Sequence, residues 1–228
     1  MKSIPLWRRQ DFIIKRAIRT GIENSLPFIK GRVLDVGCGN KPYEELIVKY
    51  ATEYIGVDIP TEQSANKEIK KADIFSDIST GLPFKDNTFD TVICTEVLEH
   101  LPNPWHFMNE CARIMKKDSH LILTTPQTWE LHEEPHDFFR FTRYGLQSLI
   151  KDAGFQAISI HAHCGTIASL AQLIVVQITN SFIIRKPKWL RAFWSVINII
   201  ILQVGLFLDR IFPSNKLPLG NTLIAKKK

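Results

Sequence analysis

The stretch Val33-Leu34-Asp35-Val36-Gly37-Cys38-Gly39 decides how this chain of 228 residues is expected to fold. It starts as a short apolar run, which is typical of a buried β-strand, and it ends in two closely spaced glycines. Glycine tolerates tight turns and lets a ligand come close to the backbone. The stretch therefore predicts a strand that leads into a glycine turn at a binding site.

Strand-like runs recur on both sides of this stretch and alternate with helical patterns. Further strands are predicted at residues 53–58, near 72–74, and at 89–94, 120–125, 155–163 and 219–226, with helices at 11–27 and 104–117. This alternation predicts a Rossmann-like, doubly wound α/β fold with a mainly parallel sheet. Such sheets bind ligands at the carboxyl ends of their strands, where the strand order reverses.

Asp58 ends the next predicted strand and strengthens the binding-site prediction. A carboxylate at that position accepts hydrogen bonds from the hydroxyls of a ribose. Dinucleotide sites share this feature, but they favour a third glycine where this chain has Pro42. Asp35, inside the first strand, is also poorly placed beside a diphosphate. The residues therefore favour a positively charged nucleoside ligand.

Together these motifs resemble the class I methyltransferases that use S-adenosylmethionine (SAM), a broad group that includes small-molecule and quinone-biosynthesis enzymes. The matching stretches are residues 33–39, 54–59, 72–74, 82–101 and 120–126. The resemblance implies a seven-stranded sheet, mostly parallel with an antiparallel last strand. It also implies SAM as the cofactor and methyl transfer as the reaction.

The resemblance assigns roles to residues at the strand ends. The methionine part of SAM is implied to lie near Asp35, Gly37, Gly39, Thr95 and Glu96. The ribose and adenine are implied to lie near Asp58, Ile59, Asp73 and Ile74. In this scheme Asp58 holds the ribose hydroxyls and Asp73 accepts from the adenine amino group. The segment between these two acids is short, so we expect a more open adenine pocket.

One residue and one segment are candidates for the acceptor side. The residue is His100, which follows the fourth strand, and the segment runs from Glu130 to Gly145, after the fifth. A hydroxyl acceptor needs a general base, and histidine is the side chain that most often serves as one. We expect His136 or His100 to act as the base or an acceptor contact, with Asp137 orienting His136. Candidate substrate-binding residues are Arg140 and Tyr144.

These polar residues also have a purely structural interpretation. His100 could simply fix its loop, and Asp137 could form a salt bridge with Arg140 while the neighbouring phenylalanines pack. The segment contains the zinc-protease pattern H-E-x-x-H at residues 132–136, but Pro135 disfavours the helix that the pattern requires. No third ligand is evident, so no metal is predicted.

Charge and cysteine content indicate where the protein acts. The four cysteines are scattered, which favours reduced thiols in the cytoplasm. The net charge of +6 is unevenly distributed, because residues 1–32 and 183–228 are basic whereas residues 33–182 are acidic. Basic ends are typical of contact with something anionic, or of solvated helix faces. An acidic centre disfavours nucleic acid as the substrate.

An apolar insertion separates the last two predicted strands. We expect an N-terminal helical extension at 1–31, a methyltransferase domain at 32–164 and 213–228, and a helical hairpin at 165–212. The connector between the hairpin helices carries four cations. This charge favours a hairpin lying on the anionic inner face of the membrane over one that crosses it. A lid over the acceptor and a homodimer contact are the alternatives.

The sequence therefore predicts a cytoplasmic SAM-dependent methyltransferase with a small-molecule or lipid-linked acceptor. Oxygen is favoured as the methylated atom, because Thr95-Glu96-Val97 stands where N-methyltransferases often have an asparagine-proline pair. The alternative from another class is a non-catalytic module of the same fold that docks on a membrane or a partner enzyme.

Overall fold

The computed structural model describes residues 11–60 and 71–228. The strands within these ranges are β1 (Gly31–Val36), β2 (Ala51–Asp58), β3 (Ile74–Phe75), β4 (Phe89–Thr95), β5 (Met115–Pro126), β6 (Phe155–Ala162) and β7 (Gly220–Lys227). The α-helices are α1 (Phe12–Ser25), α2 (Glu44–Ile47), α3 (Pro104–Ile114), α4 (Arg143–Asp152), α5 (Thr166–Ile178) and α6 (Lys188–Ile211). The expected strands form close to their predicted positions, whereas α4 was not predicted.

All seven strands belong to one sheet, in the order β3-β2-β1-β4-β5-β7-β6. Neighbouring strands from β3 to β5 are parallel. His163 exchanges backbone hydrogen bonds with Leu219 and Gly220, while Lys228 donates to Gly154, so β7 runs antiparallel to β6. The predicted Rossmann-like fold class is confirmed. The strand order reverses at β1 and β4, whose carboxyl ends therefore mark the expected ligand site.

The core lies on both faces of the central strands, because successive side chains of a strand point to opposite faces. Val33, Ile93 and Ile122 pack on one face with Ile22 of α1. Their neighbours in the chain pack on the other face with α3 and α4, and they include Leu34, Val92 and Leu121. Full burial of each such side chain contributes about 1.5–3 kcal/mol, so this core fixes the strand ends that carry the site.

The chain divides into two compact units. The first comprises Arg19–Pro126, Leu131–His161 and Asn221–Lys228, and it contains most of the sheet. The second comprises the described residues up to Ile18 together with Gln127–Glu130 and Ala162–Gly220.

The second unit is built on the antiparallel pair α5 and α6. Asp209 of α6 caps α5, because its carboxylate accepts from the backbone N–H of Gly165 at 2.8 Å and of Ile167 at 2.9 Å. Gly205 allows the helices to come close, since a Cβ there would lie 2.7 Å from the Cβ of Ala171. The two helices expected in residues 165–212 are thus present.

The proposed domain boundaries stay a prediction. The basic residues 1–10 lie outside the described part of the chain.

Candidate cofactor and acceptor site

The glycine turn after β1 is joined to the end of β2 by backbone hydrogen bonds. Gly37 and Gly39 have φ values of 67° and 51°, which glycine adopts without strain. The N–H of Gly37 donates to the carbonyl of Val57 at 2.8 Å. A Cβ on Gly37 would lie 2.2 Å from Cγ2 of Val97, whereas one on Gly39 would meet nothing within 4 Å. The turn is therefore packed at Gly37 and open at Gly39.

Asp58 lies directly beside this turn, as the sequence predicts. Its Oδ2 accepts from the N–H of Gly39 at 2.6 Å, and its Oδ1 accepts from the N–H of Ile59 at 2.8 Å. Burial raises the pKa of Asp58, while these two N–H groups lower it. A carboxylate has about four lone-pair sites, so Asp58 retains the capacity to accept from ribose hydroxyls.

Asp35 is a buried acid at the end of β1. Its Oδ2 accepts from the hydroxyl of Tyr54, while Oδ1 has no hydrogen-bond partner among the described residues. Burial raises the pKa of Asp35 to about 7, although the Tyr54 bond opposes this. A buried carboxylate oxygen that has no partner is costly, and a cationic ligand near Oδ1 would reduce that cost. The residue therefore fits the ammonium and sulfonium charges of SAM.

Asp73 is engaged by the protein itself. Its Oδ2 accepts from the N–H of Gly56 at 2.7 Å and from Nζ of Lys41 at 2.5 Å. Partial burial raises the pKa of Asp73, but the bonds from Gly56 and Lys41 outweigh it and lower the pKa overall. Lys41 is buried and its Nζ lies 5.2 Å from the centre of the Tyr54 ring.

Lys41 had not been identified from the sequence, although its position two residues after Gly39 is a signal that it lies beside the turn. The adenine role of Asp73, with Ile59 and Ile74 as neighbours, stays a prediction. The expected open adenine pocket depends on residues 61–70, which lie outside the described residues.

Thr95 is the last residue of β4 and Glu96 follows it. Both lie close to the glycine turn, because the side chain of the next residue, Val97, lies beside Gly37. Glu96 has a φ of 53°, and its N–H donates to the carbonyl of Thr124 at 3.0 Å. Burial raises the pKa of Glu96 to about 7. The structure thus gathers Asp35, Gly37 and Glu96 around one end of the sheet, as expected.

The acceptor-side residues form a second cluster at the end of β4. Nδ1 of His100 lies 2.6 Å from the carbonyl oxygen of His136, and the rings of His100 and His132 meet edge to face at 4.8 Å between centroids. The carbonyl of Glu99 accepts from the N–H groups of Phe138 and Phe139. These bonds hold the loop after β5 against the end of β4.

Asp137 contacts a different histidine from the one predicted. Its Oδ2 lies 3.2 Å from Nδ1 of His132 and accepts from the His132 backbone N–H at 3.0 Å. The expectation that Asp137 orients His136 is therefore corrected to His132. The side chain of His136 is exposed, and it is the backbone carbonyl of His136 that contacts His100. His132 lies within the segment that was predicted to face the acceptor, but no role was predicted for it there.

Asp137 also forms the salt bridge that the structural interpretation anticipates. Its two oxygens accept from Nη1 and Nη2 of Arg140 at 2.5 and 2.6 Å. The Arg140 bonds lower the pKa of Asp137 to about 2. Tyr144 is on the first turn of α4 and is exposed. The substrate-binding roles of Arg140 and Tyr144 stay predictions.

Glu99 is a further residue that the sequence did not single out. It is fully buried, and neither of its carboxylate oxygens has a hydrogen-bond partner in the described part of the chain. Glu99, His100 and His132 each place one potential ligand atom within 4.8 Å of the others. By contrast, His132 and His136 do not share a helix, so the H-E-x-x-H pattern does not form a zinc-protease site.

Comparison with known proteins points to the same region. Residues 34–123 match the family model described as a methyltransferase domain. The chain is 40% identical over 101 residues to an uncharacterised protein of Methanocaldococcus jannaschii, covering 44% of this chain and 42% of that one. It is 29% identical over 111 residues to the ubiquinone biosynthesis O-methyltransferase of Aliivibrio fischeri, covering 46% and 47%. The chain thus matches less than half the length of these curated relatives.

The fold is that of known SAM-dependent enzymes. The crystal structure of a SAM-dependent methyltransferase from Archaeoglobus fulgidus superposes with a TM-score of 0.60 at 22% identity, over 93% of this chain and 94% of that one. The glycine turn, Asp58 and the buried Asp35 lie together at the carboxyl ends of β1 and β2, which is where sheets of this kind bind their ligands. Residues 34–123 thus match a methyltransferase domain, and the chain shares the fold of SAM-dependent methyltransferases.

Proposed function

We propose that this protein transfers the methyl group of SAM to an oxygen atom of a small-molecule or lipid-linked acceptor. The observation that carries the proposal is the contact between the glycine turn and Asp58, with buried Asp35 beside it. Similarity to a ubiquinone biosynthesis O-methyltransferase supports oxygen as the methylated atom.

In this proposal one cluster of residues binds SAM and a second cluster faces the acceptor. Asp58 is placed to hold the ribose, and Asp35 is placed to compensate the positive charge of the methionine part. SAM supplies a methyl group that is already electrophilic, so the protein must chiefly align the acceptor about 3 Å away. Glu96, at the end of β4, borders both clusters and is placed to contact the acceptor.

The proton of an acceptor hydroxyl would be removed at the pair His100 and His132. Nδ1 of His100 faces a carbonyl oxygen, and Nδ1 of His132 faces the carboxylate of Asp137. Both contacts favour the tautomer in which Nδ1 carries the proton and Nε2 carries the lone pair. Nε2 is therefore the atom that can accept a proton. In this proposal His136 contributes through its carbonyl and Asp137 by orienting His132.

The reaction can be tested with methyl-labelled SAM and a polyprenylated catechol as the acceptor probe, followed by mass spectrometry of the product. We expect a methyl ether and one S-adenosylhomocysteine per transfer. A product methylated on carbon or nitrogen would contradict the choice of oxygen. If no methylated product forms and the protein binds no SAM, the chain is a non-catalytic module and the enzymatic proposal is wrong.

We also propose that α6 lies on an anionic membrane surface. Apolar residues recur along it at spacings of three and four and are each at least half exposed, namely Trp189, Phe193, Val196, Ile200, Val204, Phe207 and Ile211. Four basic residues just before α6 and in its first turn are exposed, namely Arg185, Lys186, Lys188 and Arg191. An exposed apolar stripe next to cations is typical of helices that lie in a membrane interface.

The same unit contains two helical stretches, Thr166–Ile183 and Lys188–Ile211, that are long and apolar enough to cross a bilayer by length and composition. Three polar features favour an interfacial position over one that crosses the bilayer. Asp209 is tied to the start of α5, Asn198 is buried, and the basic connector joins the helices. The alternatives are that the stripe belongs to a lid over the acceptor or that it forms the contact between two copies of the chain.

A further inference from the structure

Glu99, His100 and His132 have the spacing of ligands around one metal ion. One potential ligand atom from each lies within 4.8 Å of the other two. Zinc binds imidazole nitrogen and carboxylate oxygen at about 2.0–2.2 Å, which separates two ligand atoms by at most about 4.4 Å. Small side-chain adjustments would therefore bring all three atoms onto one ion.

Glu99 supplies an independent reason to expect a cation. Its side chain is fully buried, yet neither carboxylate oxygen has a hydrogen-bond partner among residues 11–60 and 71–228. Nε2 of His100 lies 3.7 Å from Oε1 of Glu99, which is too far for a hydrogen bond. Buried polar groups in native proteins are nearly always satisfied, and an unsatisfied one indicates a missing ion or water.

The two histidines are also held as metal ligands usually are. A ligating histidine typically donates its other ring N–H to a carbonyl or a carboxylate, which fixes the tautomer and the ring orientation. Nδ1 of His100 has the carbonyl of His136 at 2.6 Å, and Nδ1 of His132 has the carboxylate of Asp137 at 3.2 Å. Both contacts favour Nε2 as the ligating nitrogen.

The charges around the cluster favour a cation as well. Glu96 and Asp137 are further acids near Glu99, and Arg140 is the basic group that faces them. The guanidinium of Arg140 is bound to both oxygens of Asp137, so it neutralises that acid first. Glu96 and Glu99 are then the neighbouring carboxyl groups that a positive ion could engage.

We propose that Glu99, His100 and His132 bind a divalent first-row transition-metal ion, with Zn²⁺ as the reference. Two imidazoles and one carboxylate suit Zn²⁺ and its neighbours, whereas Mg²⁺ and Ca²⁺ prefer all-oxygen sites. Three protein ligands leave at least one coordination position open. The proposed ion site differs from the H-E-x-x-H pattern and shares only His132 with it.

One consequence rests on the proposed function. An acceptor hydroxyl at the open position would have its pKa lowered by the ion, so the proton could leave near neutral pH. In that case the histidines would act as ligands of the ion, and the hydroxyl proton would pass to solvent water. Without the ion, Nε2 of the histidine pair would take the proton, as the proposed function has it.

The test uses the untagged full-length protein after treatment with a chelator. Zn²⁺ binding is measured by isothermal titration calorimetry, and Co²⁺ binding by visible absorption, which reports coordination by nitrogen. We expect one ion per chain. Replacing Glu99 by Gln or His132 by Ala should weaken binding at least about 10-fold, because even residues that only support a ligand cost 10- to 100-fold. The exposed His161, replaced by Ala, is the matched control and should bind like the wild type.

Two results would overturn the proposal. One is the absence of saturable binding of either ion, and the other is equal affinity in Glu99→Gln and the wild type. Because Glu99→Gln keeps the shape of the side chain and removes a buried charge, it should fold even if His132→Ala does not. A parallel SAM titration of the metal-free protein separates the proposals, since intact SAM binding without ion binding refutes the metal site alone.

Discussion

The backbone N–H of Gly39 donates a 2.6 Å hydrogen bond to Oδ2 of Asp58. This bond ties the turn after β1 to the end of β2 and orients the carboxylate before any ligand arrives. Binding costs less when the binding groups are already ordered, so the bond preorganises the ribose contact. Gly39 takes part because its φ of 51° directs the N–H towards Asp58 and because the space beside it is open.

Replacing Gly37 by Ala should destabilise the protein more than replacing Gly39 by Ala. Both positions have positive φ, which costs a non-glycine residue about 1–2 kcal/mol. At Gly37 the new Cβ would also lie 2.2 Å from Val97. Urea unfolding of both variants measures the difference, and the double variant with Val97→Ala should recover part of the loss. Equal destabilisation at the two glycines would show that Val97 does not crowd Gly37.

SAM affinity should rise with pH through about 7. Burial raises the pKa of Asp35 to about 7, and a cationic ligand favours the ionised carboxylate. SAM is titrated by calorimetry into the wild type and into Asp35→Asn at several pH values between 6 and 8. This variant should bind more weakly and lose the pH dependence that belongs to Asp35. An unchanged profile would assign the dependence to Glu96, whose pKa is also raised to about 7.

The same shift has a consequence for the stability of the ligand-free protein. A carboxyl group whose pKa is raised on folding keeps its proton in the native state when the unfolded chain has lost it. Its contribution to stability is therefore lost as the pH rises from about 4 to about 7. The free energy of unfolding of Asp35→Asn should depend less on pH over that window than that of the wild type.

Lys41 should be important for stability although it carries a charge. Replacing it by Met removes the 2.5 Å bond to Asp73 and leaves that acid with one fewer partner. We expect a loss of about 0.5–1.5 kcal/mol, the usual net contribution of a hydrogen bond, because the half-exposed carboxylate of Asp73 can be solvated by water. The exposed Lys49→Met is the matched control and should change little. If the two variants unfold at the same urea concentration, the Lys41–Asp73 pair does not stabilise the strand ends.

The stripe on α6 can be tested with little risk to the fold because its residues are exposed. The full-length protein should float with vesicles that contain phosphatidylserine. The variant Phe193→Glu/Ile200→Glu should stay in the dense fraction. Gln203→Glu adds a negative charge at another exposed position and should still float.

A wild-type protein that never floats would refute the membrane proposal. Sedimentation would then show whether the stripe joins two copies. A monomer at all concentrations would leave the lid as the remaining use of this surface.

The fold could be predicted largely because the central strands are short apolar runs bounded by glycine, proline or acids. Helix α4 was not predicted, although Leu146, Leu149 and Ile150 recur in it at helical spacing and are buried. Its start is fixed by Thr142, whose Oγ1 accepts from the N–H of Gly145 at 3.1 Å. The strand β5 begins at Met115, five residues before the predicted start, because Lys116 and Lys117 resemble a helix end.

The cofactor side of the site was more predictable than the acceptor side. Gly39 and Asp58 stand at the ends of adjacent strands, and the topology alone brings such positions together. The contact between Asp137 and His132, the burial of Glu99 and the bond from Lys41 to Asp73 depend on how loops fold over the sheet. Residues joined in this way have no fixed spacing in the sequence, so their pairing could not be read from it.

The role of Asp58 as the ribose carboxylate is the central claim, and a SAM titration of Asp58→Ala tests it most directly. The wild type should bind one SAM per chain, and Asp58→Ala should bind at least about 10-fold more weakly, because hydrogen bonds to a charged group contribute about 1.5–3 kcal/mol each. The exposed Asp152→Ala is the control and should bind like the wild type, with circular dichroism confirming that each variant folds. Equal affinity in Asp58→Ala and the wild type, or no SAM binding by the wild type, would contradict the account.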